Sequence, residues 1–87
     1  MSAPVTVYRT TSCPYCVAAK RLLSQRQIAF DEVFLDQEPE KLNELKERYD
    51  WRTVPMVFVG SHFVGGYTDL KQLADNGELA KLLAAPQ

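Results

Sequence analysis

Long apolar runs, excess charge of one sign and metal-ligating side chains are all scarce in this chain of 87 residues. No apolar stretch approaches the roughly 20 residues a membrane-crossing helix needs, which excludes a helical span. Ten lysines and arginines stand against eleven aspartates and glutamates, a net charge of −1, with the two signs mixed throughout. Without a basic stripe, nucleic acid is not an expected partner. His62 is the only histidine and Cys13 and Cys16 the only cysteines, which leaves a Cys/His zinc site short of ligands. The opening Met1-Ser2-Ala3-Pro4-Val5 has neither a charged n-region nor an apolar h-region. No secretory signal is therefore expected, and the expected setting is cytoplasmic and reducing. No linker, repeat or low-complexity run interrupts the chain, so one domain covering 1–87 is expected.

What is present is a succession of short periodic segments. Val5 to Tyr8 alternates as a strand does. Pro14, suited to a first helical position, opens a helix on which Tyr15, Ala19, Leu22 and Leu23 share a face. Ile28 to Leu35 holds a second strand. Glu38 to Tyr49 reads as a second helix, with Pro39 near its start and an apolar stripe of Leu42, Leu45 and Tyr49 expected in the core. Val57-Phe58-Val59, fully apolar between Pro55 and Gly60, has the character of a central strand. Gly60-Ser61 fits a two-residue hairpin turn leading to His62-Phe63-Val64. A third helix is expected from Thr68 or Asp69 to about Asp75, with Leu70, Leu73 and Ala74 inward. Asn76-Gly77 ends it, and Leu79, Leu82 and Leu83 suggest a last helical turn or two. The order β-α-β-α-β-β-α predicts an α/β fold: a four-stranded mixed sheet with helices on both faces. Its first crossover should be right-handed and its last two strands a hairpin.

The two cysteines stand at the junction of the first strand and the first helix, as Cys13-Pro14-Tyr15-Cys16. A cross-link stabilises in proportion to the loop it closes, and this loop is too short for a structural disulfide to do much. A C-x-x-C at a strand–helix junction reads instead as a redox pair. Cys13 is expected at the N-cap, its sulfur facing free backbone N–H groups and the positive end of the helix. Both favour the thiolate, the nucleophile of disulfide exchange. Cys16, one turn further in, should be less exposed and placed to attack a mixed disulfide formed on Cys13.

Cys13-Pro14-Tyr15-Cys16, Thr53-Val54-Pro55 and Gly65-Gly66-Tyr67-Thr68-Asp69-Leu70 together resemble the three motifs of a dithiol glutaredoxin, in order and spacing, over nearly the whole chain. Thioredoxins share the architecture but typically carry Gly-Pro between their cysteines. The resemblance implies a thioredoxin-like fold, no bound cofactor, and glutathione as cosubstrate. It implies a cis peptide before Pro55, so that the Val54 backbone turns outward beside Cys13 and pairs with the cysteinyl part of glutathione. Gly65 and Gly66 would let the ligand approach the backbone closely. N–H groups at Thr68 and Asp69 would take the γ-glutamyl carboxylate, and the Asp69 side chain its α-ammonium. Tyr15, Thr53, Pro55 and Gly66 complete the implied glutathione site. Taken without the resemblance, Thr68 is a helix cap and Asp69 a first-turn partner of the helix dipole.

Two positions depart from the family pattern. Thr10 stands where many members have a lysine or arginine contacting the glycyl carboxylate, and Tyr67 stands where the residue is often small or cysteine. Arg9 is adjacent to Thr10, but side chains alternate along an extended segment. Arg52 and Lys41 are the other candidates, with a solvated charge the simpler reading for each. Trp51 reads as packing at the end of the second helix, and His62 as exposed.

The expected activity is glutathione-dependent reduction of protein disulfides and glutathione mixed disulfides, with glutathione and disulfide-containing or glutathionylated proteins as partners and a monomeric state. Two alternatives belong to other classes: a dimer bridging a [2Fe–2S] cluster through Cys13 and two glutathiones, and a thioredoxin-like electron donor served by a flavin reductase.

Overall fold

The computed structural model describes residues 4–84. Strands β1 (Val5–Arg9), β2 (Asp31–Phe34), β3 (Met56–Val59) and β4 (His62–Gly65) alternate with helices α1 (Pro14–Gln25) and α2 (Pro39–Arg48). Helices α3 (Tyr67–Asp75) and α4 (Glu78–Ala84) follow. The sheet order is β2-β1-β3-β4. β1 and β2 are parallel, as their helical crossover requires, with Val7 opposite Glu32. β3 runs antiparallel to both β1 and β4, and its last residue, Val59, pairs with His62 across the Gly60-Ser61 turn. Gly60 takes φ 60°, the left-handed value a tight hairpin asks of its glycine.

The main core lies on one face of the sheet. Val5, Val7, Val57 and Val59 meet Ala19 and Leu23 of α1, Leu70 and Ala74 of α3, and Leu79 of α4. β3 is buried at every position, as a central strand covered on both faces must be. The other face carries an aromatic layer. Phe58 meets Tyr8 edge-on at 5.5 Å and Tyr49 at 5.1 Å, and Phe63 meets Trp51 edge-on at 5.4 Å.

Two expectations need correction. Leu42, Leu45 and Tyr49 are half-buried, and no residue of α2 is fully buried. α2 covers its side of the sheet alone, and one helix has no neighbour to close over its flanks. Tyr15, in the first turn of α1, is 63% exposed. The third helix starts at Tyr67, one residue earlier than expected, whereas the expected last turn or two is present as the seven-residue α4, packed on α3.

α1 and α2 both end without glycine. After α1, the Gln27 N–H donates to Ser24 O at 3.1 Å and the Ile28 N–H to Leu23 O at 2.9 Å, with Gln27 at φ 59°. After α2, the Asp50 N–H donates to Glu47 O at 3.4 Å and the Trp51 N–H to Lys46 O at 2.9 Å, with Asp50 at φ 50°. Each pair of bonds is a Schellman closure. The second delivers Trp51 to the functional groove.

Candidate functional site

The dithiol sits where β1 hands over to α1. Cys13 has extended backbone (φ −139°, ψ 102°) and caps the helix with its side chain: Sγ accepts the Cys16 N–H at 3.2 Å. Its carbonyl accepts from Cys16 and Val17 at 3.1 and 3.2 Å, and Pro14 occupies the first helical position, where no N–H is needed. A donor aimed at sulfur stabilises a negative sulfur more than a neutral one. In the thiol form Cys13 donates to Val54 O at 3.5 Å. Both cysteines are free, and Cys13 retains 8% exposure against none for Cys16.

The second sulfur is chemically unlike the first. Burial pushes the Cys16 thiol up to about 12, helped by its hydrogen bond to Cys13 and by repulsion between two negative sulfurs. The Thr10 backbone amide and the Arg9 cation pull the other way without winning. At neutral pH Cys16 is therefore a thiol. The pair thus joins one slightly exposed sulfur to one wholly buried thiol.

Beside Cys13 lies a groove of about 180 Å³. All seven non-cysteine residues singled out from the sequence line it. Tyr15 comes from α1, Thr53, Val54 and Pro55 from the segment before β3, and Gly66, Thr68 and Asp69 from the start of α3. The Val54–Pro55 peptide is cis, as the resemblance implied. Two further residues line the groove that sequence reasoning did not place there. Tyr67 brings its ring to 6.3 Å from that of Tyr15, and Trp51 lies under Gly66. Tyr67 was singled out only as a departure. Trp51 carried one usable signal, its position two residues past the end of an apolar-striped helix and just before Thr53-Val54-Pro55.

The two glycines before α3 differ in what surrounds them. A Cβ on Gly65, whose φ is +121°, would lie 2.7 Å from Asp69 Oδ2; one on Gly66 would meet Trp51 Cζ2 at 3.4 Å. Both are buried; Gly65 makes room for the Asp69 side chain, whereas a Cβ on Gly66 would make an ordinary contact, and Gly66 lines the groove. The cap of α3 is Gly66 rather than Thr68, which stands second in the helix. Asp69 Oδ2 accepts the Gly66 N–H at 3.1 Å, half of a capping box. The helix offers no partner to the N–H groups of Tyr67, Thr68 and Asp69, so these remain for a ligand or water.

None of the basic residues considered near Thr10 lines the groove. Arg9 is buried against Glu32, Lys41 sits 5.7 Å above the Tyr8 ring, and Arg52 flanks a separate hollow with Lys46 and Asp50. His62 is exposed, as expected. A larger cleft, about 670 Å³, runs along α2 between Gln37 and Arg48 and is lined by no thiol. Among the described residues no three His, Cys, Asp or Glu side chains gather as a metal site would require.

Comparison with known proteins agrees with this geometry. The glutaredoxin family model matches residues 5–64. The chain is 42% identical over 82 residues to a glutaredoxin of Pseudomonas aeruginosa, covering 94% of this chain and 98% of that protein. It is 38% identical over 81 residues to glutaredoxin 3 of Escherichia coli K12, covering 93% and 98%. The solution structure of a Brucella melitensis glutaredoxin superposes with a TM-score of 0.84 at 40% identity, covering 94% of this chain and 89% of that one. A buckwheat glutaredoxin–glutathione complex superposes with a TM-score of 0.84 at 31% identity, covering 93% and 76%.

Proposed function

The chain belongs to the glutaredoxin family and is a thiol–disulfide oxidoreductase with a thioredoxin-like fold; we propose that glutathione is its electron donor and that Cys13 is the attacking sulfur. The observation that carries this reading is the convergence of seven residues from three chain segments on one groove, with Val54 O 3.5 Å from Cys13 Sγ. In the first reaction, Cys13 thiolate attacks the glutathione sulfur of a glutathionylated substrate, and the substrate thiolate leaves. A second glutathione attacks the resulting mixed disulfide, releasing oxidised glutathione and regenerating Cys13. With a protein disulfide, Cys13 forms a mixed disulfide with the substrate. Cys16 then attacks Cys13 Sγ, the reduced substrate leaves, and two glutathiones reduce the Cys13–Cys16 bond.

The groove suits a zwitterionic tripeptide. Val54 can pair through its backbone with the cysteinyl unit, and the N–H groups at the start of α3 suit a carboxylate. Asp69 uses one hydrogen bond internally, and a carboxylate has about four acceptor sites, which leaves capacity for an ammonium. Tyr15 and Tyr67 wall the entrance. No basic side chain meets the glycyl carboxylate, so that end is held by fewer contacts than the other. A reducing, cytoplasmic setting and a monomeric state complete the proposal.

The test joins binding to role. Reduced glutathione titrated into the reduced protein should shift the backbone resonances of Val54, Thr68 and Asp69. In an assay coupled to glutathione reductase, Cys13→Ser should abolish turnover. Cys16→Ser should keep activity on glutathionylated substrates and lose it on dithiol-requiring ones. Undisturbed resonances, or equal loss in both variants, would overturn the reading.

A further inference from the structure

Arg9 is the one charged side chain in the buried class among the described residues, at 6% exposure, and the reaction above gives it no part. Its Nη1 lies 3.4 Å from Glu32 Oε2 on β2, its Nε donates to the Thr10 carbonyl at 3.3 Å, and its guanidinium stands 4.8 Å from the centre of the Phe34 ring. The other Glu32 oxygen is 3.3 Å from Lys20 Nζ, on α1 one turn beyond Cys16. Cys16, fully buried, stands on that same helix one turn before Lys20, and Thr10 and Arg9 both favour its ionised form. The Lys20–Glu32–Arg9 contacts thus tie the helix that carries the buried thiol to β2 and to the end of β1. A buried ion pair removes two charges from water and is a poor source of stability by itself. Its link through Lys20 to the helix that carries Cys16 offers another use.

We propose that the buried Arg9–Glu32 pair sets the rate at which Cys16 resolves a mixed disulfide on Cys13, with Arg9 a positioning residue that acts through its charge and through Thr10. This rests on the assignment of Cys16 as the resolving thiol and extends it to a residue outside the groove. In the resolving step Cys16 gives its proton to solvent and its thiolate attacks Cys13 Sγ. The Cys13–Cys16 bond forms, the bond from Cys13 to the outgoing sulfur breaks, and that sulfur leaves with the electron pair. Whatever favours the Cys16 thiolate speeds the step, offset in part because a less basic thiolate is a weaker nucleophile. The groups facing that sulfur are few. Cys13 opposes its ionisation, whereas the Thr10 amide and Arg9 from the end of β1 favour it. Glu32 of β2 partly cancels Arg9, and Lys20 of α1 partly cancels Glu32. α3, the other element packed on α1, presents the uncharged Leu70 and Ala74 to the core.

The experiment uses the full chain and 5,5′-dithiobis(2-nitrobenzoate), so that glutathione takes no part. Stopped-flow absorbance resolves two releases of thionitrobenzoate: a bimolecular phase from attack by Cys13, and a unimolecular phase from attack by Cys16. Cys16→Ser should lack the second. Arg9→Met, which leaves Glu32 paired with Lys20, should slow the second phase about fivefold, and Glu32→Gln should speed it by a similar factor, the scale of one partly screened charge. Arg9→Lys should recover most of the loss. Below pH 10 the second-phase rate should rise with pH in each protein, the Arg9→Met line lying below wild type and the Glu32→Gln line above.

Damage to packing would slow both variants, so opposite signs are what the proposal requires. Equal signs, or no change in the second phase, would overturn it. Should Arg9→Met fail to fold, Glu32→Gln decides alone, since only relief of a negative charge makes it faster. A protein that shows the opposite signs yet takes no electrons from glutathione would overturn the donor assignment and leave this inference standing.

Discussion

Gly65→Ala tests whether the glycines before α3 serve the protein or its ligand. Gly65 has φ +121°, and a Cβ there would stand 2.7 Å from Asp69 Oδ2 and 3.0 Å from Asp69 Cγ. That carboxylate cannot simply swing away, because it holds the buried Gly66 N–H at 3.1 Å. Three contributions set the size of the effect. Alanine at such a φ costs about 1–3 kcal/mol. Displacing Asp69 leaves a buried donor unpaired, at about 1–3 kcal/mol. The stiffer unfolded chain returns about 0.4–1 kcal/mol. The net loss is about 3 kcal/mol, or a fall in Tm of about 12–24 °C for a domain of this size. Urea denaturation of the wild type, Gly65→Ala, Asp69→Ala and the double variant measures it. Asp69→Ala alone should cost about 1 kcal/mol as a lost cap contact. In the double variant the clash has gone, so the two losses should fall short of their sum by at least ~1 kcal/mol. Additive losses would refute the steric reasoning and return Gly65 to the role of admitting a ligand.

Two other outcomes follow from the same groove. Asp69→Asn keeps an acceptor for the Gly66 N–H but loses the charge, so stability should fall by less than ~1 kcal/mol while KM for glutathione rises about tenfold at nearly constant kcat. An unchanged KM would mean that Asp69 serves the helix alone. Trp51 Nε1 is buried and has no hydrogen-bond partner among the described residues, so Trp51→Phe removes an orphan donor together with some packing. It should cost about 1 kcal/mol or less, against about 3–5 kcal/mol for Trp51→Ala; equal losses in urea denaturation would show that the indole N–H carries no penalty.

The fold was legible because each element carries its own local signal. Val5 to Tyr8 alternates, Pro14 and Pro39 mark helix starts, and Gly60-Ser61 fits the turn between β3 and β4. The groove was legible for a different reason. Its three segments are short, contiguous motifs whose backbones make the site, so finding the motif finds the residues. Less accessible was what depends on how elements stack. The stripe Leu42, Leu45, Tyr49 has the spacing of a core face, yet burial depends on what lies opposite, and α2 has only the sheet. Gly65 announces a need for space without saying what fills it; Asp69 does, and that contact does not follow from spacing.

Arg9 shows where reading along a strand reaches its limit. Alternation puts it on the same side of β1 as Val5 and Val7, which is the core side, and a charge there looks like an error of pattern. The pattern is right and the charge is buried, because β2 supplies Glu32 on the neighbouring strand and α1 supplies Lys20 above it. A parallel pairing and a helix crossing, both long-range, make that position tolerable. The same two long-range features tie α1, which carries Cys16, to the cluster through Lys20. A charge retained inside the layer that carries the buried Cys16 thiol departs from hydrophobic patterning, and such departures are where function is to be sought.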